Sequence, residues 1–404
     1  MTGAKTISAL TAAALICACS GDAPERDRFS TRDSAGIHIV ENTAPAWSEG
    51  DAWRLSEQPL VDIGGLEGDP DYELYQVSNA VRMPDGRIVV GNSGSNQIRF
   101  YDESGKHLLD AGGGGEGPGE FRNIRWVRLY RADSVAAYDL RLSRTSVFDS
   151  DGRFVRSFST PAMESGGTGW PDDVFEDGSL LVRAVSQVPP DASGEVMRRV
   201  EPRYSVSPEG EFEDSLCAYP GAETVMHSFE SMSIVYFGPP LFGRSTRYDV
   251  AGNRFYVASN DTYEVRVHAR DGSLESIVRK QHENLEVTDA DVEAFKEAQL
   301  SSDMPPGMRD AMAQVLDDSP IRETMPAFDF FVVDRVGNLW VEEYRRPGET
   351  VPRWTVFNRE GELLGTLSLP DRFVIDDVGN DYVLGRWSDE MDIEHVRLYG
   401  LIKP

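Results

Sequence analysis

The chain predicts an all-β ring: six antiparallel sheets of about four strands each, set as the blades of a propeller, with a two-helix insertion between the fourth and the fifth. Two recurring hairpins and one interrupted spacing carry this reading. The first hairpin occurs at Met83 (MPDGRIVVGN), Arg131 (RADSVAAYD), Phe175 (FEDGSLLVR), Asp249 (DVAGNRFYVAS), Asp334 (DRVGNLWVEEY) and Asp376 (DDVGNDYVLGRW). Each pairs a tight turn with alternating apolar residues, the pattern of a half-buried strand. The second follows at Arg99, Ser146, Tyr204, Val267 and Thr355, with turn glycines Gly105, Gly152, Gly210, Gly272 and Gly361; a last strand, HVRLYGL, begins at His395. Two hairpins make one four-stranded unit. Units of roughly fifty to sixty residues recur until Gly272, the spacing of propeller blades with variable loops.

The interval from Gly272 to Gly361 is much longer. It contains TDADVEAFKEAQL and PPGMRDAMAQVLDD, which read as helices. Thr288 and Asp291 form a capping box, and Val292, Phe295, Met308, Met312 and Val315 recur at helical spacing, so residues 286–319 form an insertion expected to cover one mouth of the ring. A lone blade cannot bury both faces of its sheet, whereas six set radially bury them against each other. Closure needs a strand from outside the repeats. Trp53 to Gly65 (WRLSEQPLVDIGG) precedes the first unit and is assigned to complete the last one.

Composition bounds the function. At 404 residues with 40% hydrophobic and 10% aromatic side chains, the chain has material for a large core. Its 68 acidic against 40 basic residues give a formal charge of −28, which disfavours nucleic acid and anionic lipid surfaces as partners. The N-terminus reads as an export signal: Lys5, then an apolar run from Ile7 to Ala18, too short for a stable membrane span. Ile16-Cys17-Ala18-Cys19 resembles a bacterial lipobox, departing from it at Ile16 and Cys17. That resemblance implies a signal peptide over residues 1–19 and lipidation of Cys19. Residues 20–50 read as a flexible tether and 51–404 as the ring. With Cys17 removed and Cys19 acylated, Cys217 is left alone, which excludes a disulfide framework; SLCAYP has no histidine beside it and reads as a buried small hydrophobe.

The glycine-rich run GGGGEGPGEF, Gly112 to Phe121, has no lysine or hydroxyl residue, carries Glu116 and Glu120, and leads into the strand-like FRNIRWVRLY. A phosphate loop would lead into a helix. The run is therefore assigned to the crossing between two sheets, with Phe121 as its anchor. GEGPGEF, the repeated hairpins and GNLWVEEY together resemble the six-bladed propeller proteins related to NHL repeats, many of them predicted bacterial lipoproteins, over Trp53 to the C-terminus.

Some six-bladed propellers are calcium-dependent lactonases or esterases, and the resemblance implies oxygen ligands at equivalent inner-strand positions. Counting back from the first turn of five units gives Asn79, Pro171, Ser245, Phe330 and Arg372, a single carboxamide. Asp172, Asp173, Glu342 and Glu343 are near enough to keep a channel calcium open; no other cofactor is expected. The six histidines include no pair at zinc-ligand spacing, and no G-x-S-x-G elbow occurs. Trp340 alternates with core residues, Arg345 and Arg346 read as solvated loop, and Trp170 reads as a lining residue. Asn79, Trp170, Asp172 and Arg372 are thus the expected ligand face of a monomeric, envelope-tethered propeller that binds a glycan, peptide or envelope protein; the alternative is a hydrolase or lyase with a divalent metal in the channel.

Overall fold

The computed structural model describes residues 28–48, 50–65, 68–131, 133–162, 169–184, 194–229, 234–301 and 306–404. Cys17 and Cys19 lie outside them. Every hairpin of the repeat forms. The strands make six sheets in chain order: sheet one (77–112), two (124–159), three (169–238), four (246–280), five (328–368) and six (373–402). Sheets one, two and five have four strands; the other three gain strands at their edges.

Consecutive sheets share apolar seams. Ile98, Phe100, Phe121, Val127 and Phe148 fill the one between sheets one and two, and comparable clusters join two to three, three to four, four to five and five to six. A sixth cluster, with Ile63, Val77, Tyr101 and Leu384, joins sheet six back to sheet one. The side chains alternate along each strand, so one strand supplies both the seam before it and the seam after it. This is a propeller-type arrangement.

The segment before the first unit pairs with the last sheet, as the sequence predicts. Val61–Ile63 pairs antiparallel with the last strand, Glu394–Ile402, through Val396 with Ile63 and Leu398 with Val61. Arg54 and Leu55 pair further along the same strand.

Part of the predicted tether is structured. Phe29–Ser34 and Ile37–Asn42 form a hairpin whose second strand runs parallel to Leu274–Lys280 at the outer edge of sheet four. Ile39 and Val40 are buried there, and Asn42 donates to Arg279 O and Gly361 O while accepting from Leu363 N. The reason is visible in IHIVEN: apolar residues follow an Ala35-Gly36 turn with both φ values positive, and they cap an edge strand that would otherwise expose its backbone. Trp47, also expected in the tether, packs on Trp53, which in turn packs on the core residue Trp340.

The glycine-rich run turns a corner, as expected. Gly112, Gly113 and Gly119 have positive φ, and Phe121 is fully buried against Phe148. A Cβ on Gly112 would lie 2.7 Å from Phe121, and the Glu120 carboxylate folds back to accept from Gly117 N. The acid that argues against phosphate is thus a brace for the loop.

The insertion comprises α1 (Asp289–Leu300) and α2 (Pro306–Asp318), with the Thr288/Asp291 capping box in place. Val292 and Leu316 pack on Leu241, Phe242 and Met325. Met308, assigned to the apolar stripe, is 58% exposed. Arg346 is not a free loop residue: its Nη1 donates to Asp291 Oδ2 at 2.7 Å and pins α1 to sheet five. Arg345 pairs with Glu342 at 3.2 Å.

Candidate functional site

The first strand of every sheet contributes to the wall of one cavity of about 1000 Å³. Its location follows from the radial packing: each first strand has a seam on either side and its remaining surface faces its counterparts. Arginines and carboxylates occur there in nearly equal number, unlike in the acidic chain as a whole.

Polar bonds cross every junction between first strands. Asn79 of sheet one accepts from Val127 N of sheet two at 2.8 Å and donates to Val127 O at 2.9 Å. Trp126 donates to Pro171 O, and Arg128 Nε to Asp173 Oδ1, both at 2.9 Å, across sheets two and three. Glu176 N donates to Gly252 O at 3.0 Å across three and four, where Asp173 also faces Asp249. Asp249 Oδ2 accepts from Val333 N at 2.6 Å, linking four to five. Arg335 holds Asp377 across five and six, at 2.6 Å. Asp376 Oδ2 accepts from Ala80 N at 3.0 Å and from Arg386 at 3.1 Å, linking six to one.

Burial governs the titration of these acids. Desolvation, then the Asp173 charge, holds Asp249 well above the usual carboxylate range. Desolvation lifts Asp376 to about 6 against the opposing Arg386 charge, and Glu342 to about 7 with help from Asp329. Asp172 is also raised by burial, although Arg203 Nε lies 2.9 Å from it.

Of the expected ligand face, Asn79, Trp170 and Asp172 do line the cavity. Asn79 spends both amide groups on Val127, and Trp170 carries Arg183 on its ring at 5.5 Å. Arg372 does not line it. That residue sits in a turn at φ +57 and donates to Asp389 O; as in the fourth unit, the turn glycine directly follows its strand, so counting back from Gly379 overshoots the strand. Ser245 is likewise absent from the wall, whereas Phe330 lines it and is 37% exposed.

Sequence reasoning missed Arg128, Asp249, Asp376, Asp377, Tyr248 and Trp354. A signal existed for the acids: an Asp-Val doublet recurs near the end of the first strand at Asp173-Val174, Asp249-Val250 and Asp377-Val378.

A calcium cage fits this wall poorly. Its aspartates are engaged by backbone N–H groups or by arginines. Among the described residues, three carboxylate or imidazole ligand atoms converge only at Asp71, His107 and Asp110, which lie at the outer strand of sheet one and outside the cavity. There each imidazole nitrogen already faces a carboxylate, at 3.2 and 2.8 Å. Cys217 is no nucleophile: burial pushes its thiol up to about 12.

No protein-family model and no curated protein matches the chain. Among solved structures, it is similar to a protein of Bacteroides fragilis named as exported, at 13% identity and TM-score 0.53, over 91% of this chain and 99% of that one. A member of the DUF4221 family from Bacteroides vulgatus follows at 10% identity and TM-score 0.49, over 88% and 100%. A gluconolactonase from Xanthomonas campestris has 14% identity and TM-score 0.38, over 79% and 83%. The first of these carries the fold and nothing further; the other two carry no argument.

Proposed function

We propose that the chain is an exported, monomeric six-bladed β-propeller, anchored in the bacterial cell envelope through a lipid on Cys19, that binds a glycan, peptide or protein partner in the cavity on its axis. The ring is supported by six sheets whose six seams return to the first. Export and anchoring rest on Lys5, the apolar run and Ile16 to Cys19. No helix among the described residues is long and apolar enough to cross a membrane.

The observation that carries binding over metal chemistry is the engagement of the channel aspartates in bonds between sheets. A calcium site needs six to eight oxygen ligands free to converge on the ion. Here those oxygens hold the ring together instead. The hydrolase or lyase reading retains one supporting observation: Asp249, its carboxyl raised by burial beside Asp173, in a cavity large enough for a substrate.

Two experiments test the proposal. Labelled palmitate incorporated by the expressed protein should vanish in Cys19→Ser; label retained in that variant contradicts the anchor. A screen of oligosaccharides and peptides followed by hydrogen exchange should give a ligand that protects the first strands of several sheets. Protection confined to the outer strands contradicts binding in the channel, and turnover of a ligand abolished by Asp173→Asn favours the enzyme.

A further inference from the structure

The binding reading leaves the chemistry of the ligand open, and the inventory of unused polar groups narrows it. Apart from Asp172 Oδ2, which is buried without a hydrogen bond although Arg203 Nε lies 2.9 Å away, the wall aspartates are engaged. What remains without a partner is chiefly donors. Trp354 Nε1 is buried, lines the cavity and has no hydrogen-bond partner, in a residue only 1% exposed; Tyr138 OH, equally buried in the wall, has only the Ser143 side chain beside it. Tyr248 OH, also in the wall, is unpartnered as well. An indole N–H can only donate, and leaving it buried and unpaired costs about 1–3 kcal/mol.

Two arginines add to this surplus. Arg125 lines the cavity, is exposed, and has no side-chain partner among the described residues. Arg247 does not itself line the cavity but stacks over the wall residue Phe330 at 5.5 Å, pairs with no carboxylate among the described residues, and has a buried Nε without an acceptor. Both are the second residue of their first strand, as are Trp170 and Val374 in sheets three and six, so all four belong to the same end of the ring. Asp329 holds that position in sheet five and sets one negative charge against the two arginines. This end also presents apolar surface: Phe330 and Val374 are exposed and Trp170 is half-buried.

We infer that this end of the channel recognises an acidic saccharide, a chain of sugars bearing carboxylates, with Arg125 and Arg247 on the carboxylates and Trp354 and the tyrosines on hydroxyl and ring oxygens. The inference rests on the channel-binding reading. A carboxylate accepts only, and a sugar hydroxyl rotates to accept, so both suit a wall with donors to spare; the CH faces of the rings suit Trp170 and Phe330. An acidic peptide is disfavoured because each residue brings a fixed N–H donor to a wall most of whose aspartate oxygens are already taken.

The test is calorimetric titration of the folded mature protein with tetragalacturonate, a neutral tetrasaccharide of equal length and tetraglutamate. Tetragalacturonate should bind, weaken as salt rises, and lose at least about tenfold in affinity in Arg125→Met and in Arg247→Met, since a charge-assisted hydrogen bond contributes about 1.5–3 kcal/mol. Unchanged melting temperatures in both variants establish that the loss is not unfolding. Equal binding of the neutral sugar, preference for tetraglutamate, no binding of tetragalacturonate, or binding indifferent to both arginines overturns the inference. Neutral-sugar binding that protects the first strands leaves the channel reading standing and removes only the acidic ligand.

Discussion

The seams between sheets and the wall of the channel are built from the same six sheets, yet they follow different rules. In a seam the side chains are apolar and interchangeable in role: Phe100, Phe121 and Phe148 form one, Trp340, Trp354 and Phe373 another. Along the channel the junctions are bridged by individual polar bonds: a carboxamide on a backbone pair, an arginine on an aspartate, an indole on a carbonyl, a carboxylate on a backbone N–H. The seams supply most of the stability through burial. The channel bonds set the registration of neighbouring sheets, and in doing so use up the acids that a metal would need.

The largest effect that would break this comparison is loss of closure. Deleting residues 53–65 removes the strand paired with Val396 and Leu398 and opens the seam that contains Ile63, so the truncated chain should aggregate or melt far below the intact one. A monomer with unchanged melting temperature would show that the seam between sheets six and one is dispensable. Next in size is a single seam residue. Phe121→Ala should cost about 3–5 kcal/mol, measured by denaturant unfolding, and a cost below about 1 kcal/mol would mean that the corner is not anchored by its ring.

Channel substitutions should cost less. Asn79→Ala leaves both the N–H and the carbonyl of Val127 without a side-chain partner and should cost about 1–3 kcal/mol, because both lie buried. Smaller still, and opposite in sign, is Asp249→Asn. An asparagine there can accept from Val333 N and faces Asp173 without a charge of its own. Asp249 and Asp376 have raised values in the folded protein, so the native state binds their protons more tightly than the unfolded chain does. Their contribution is therefore fully present below about pH 4 and is lost as pH rises, for Asp376 through about 6 and for Asp249 in the same direction. Asp249→Asn should flatten that decline and leave the protein at least as stable as the parent at pH 7. A melting temperature several degrees lower at pH 7 would show that the charge itself is required.

The same contrast explains what the sequence discloses. Seams and hairpins are local: a turn glycine such as Gly105 or Gly361 is flanked within a few residues by the alternation that fills the seam, so the six units, the insertion and the closing strand can all be read from the chain. The edge hairpin at 29–42 escaped because its polar first strand, STRDS, hides a structure whose apolar half is only IHIV. The channel is not local. Asp249 acquires its character from Asp173 of another sheet and Val333 of a third, and no spacing rule connects them. Counting residues back from the turns found Asn79 and Phe330 and overshot the strand at Ser245 and Arg372, because Gly252 and Gly379 follow their first strands directly whereas Gly86, Gly178 and Gly337 lie several residues beyond theirs.

The account holds that the channel acids lock the sheets and are not a cation site, and thermal melting with calcium or with chelator tests this directly. A shift under about 1 °C between millimolar calcium and EDTA is the predicted result, since a ligand with no site in the native state cannot stabilise it. A rise of several degrees with calcium that disappears in Asp249→Asn would contradict it.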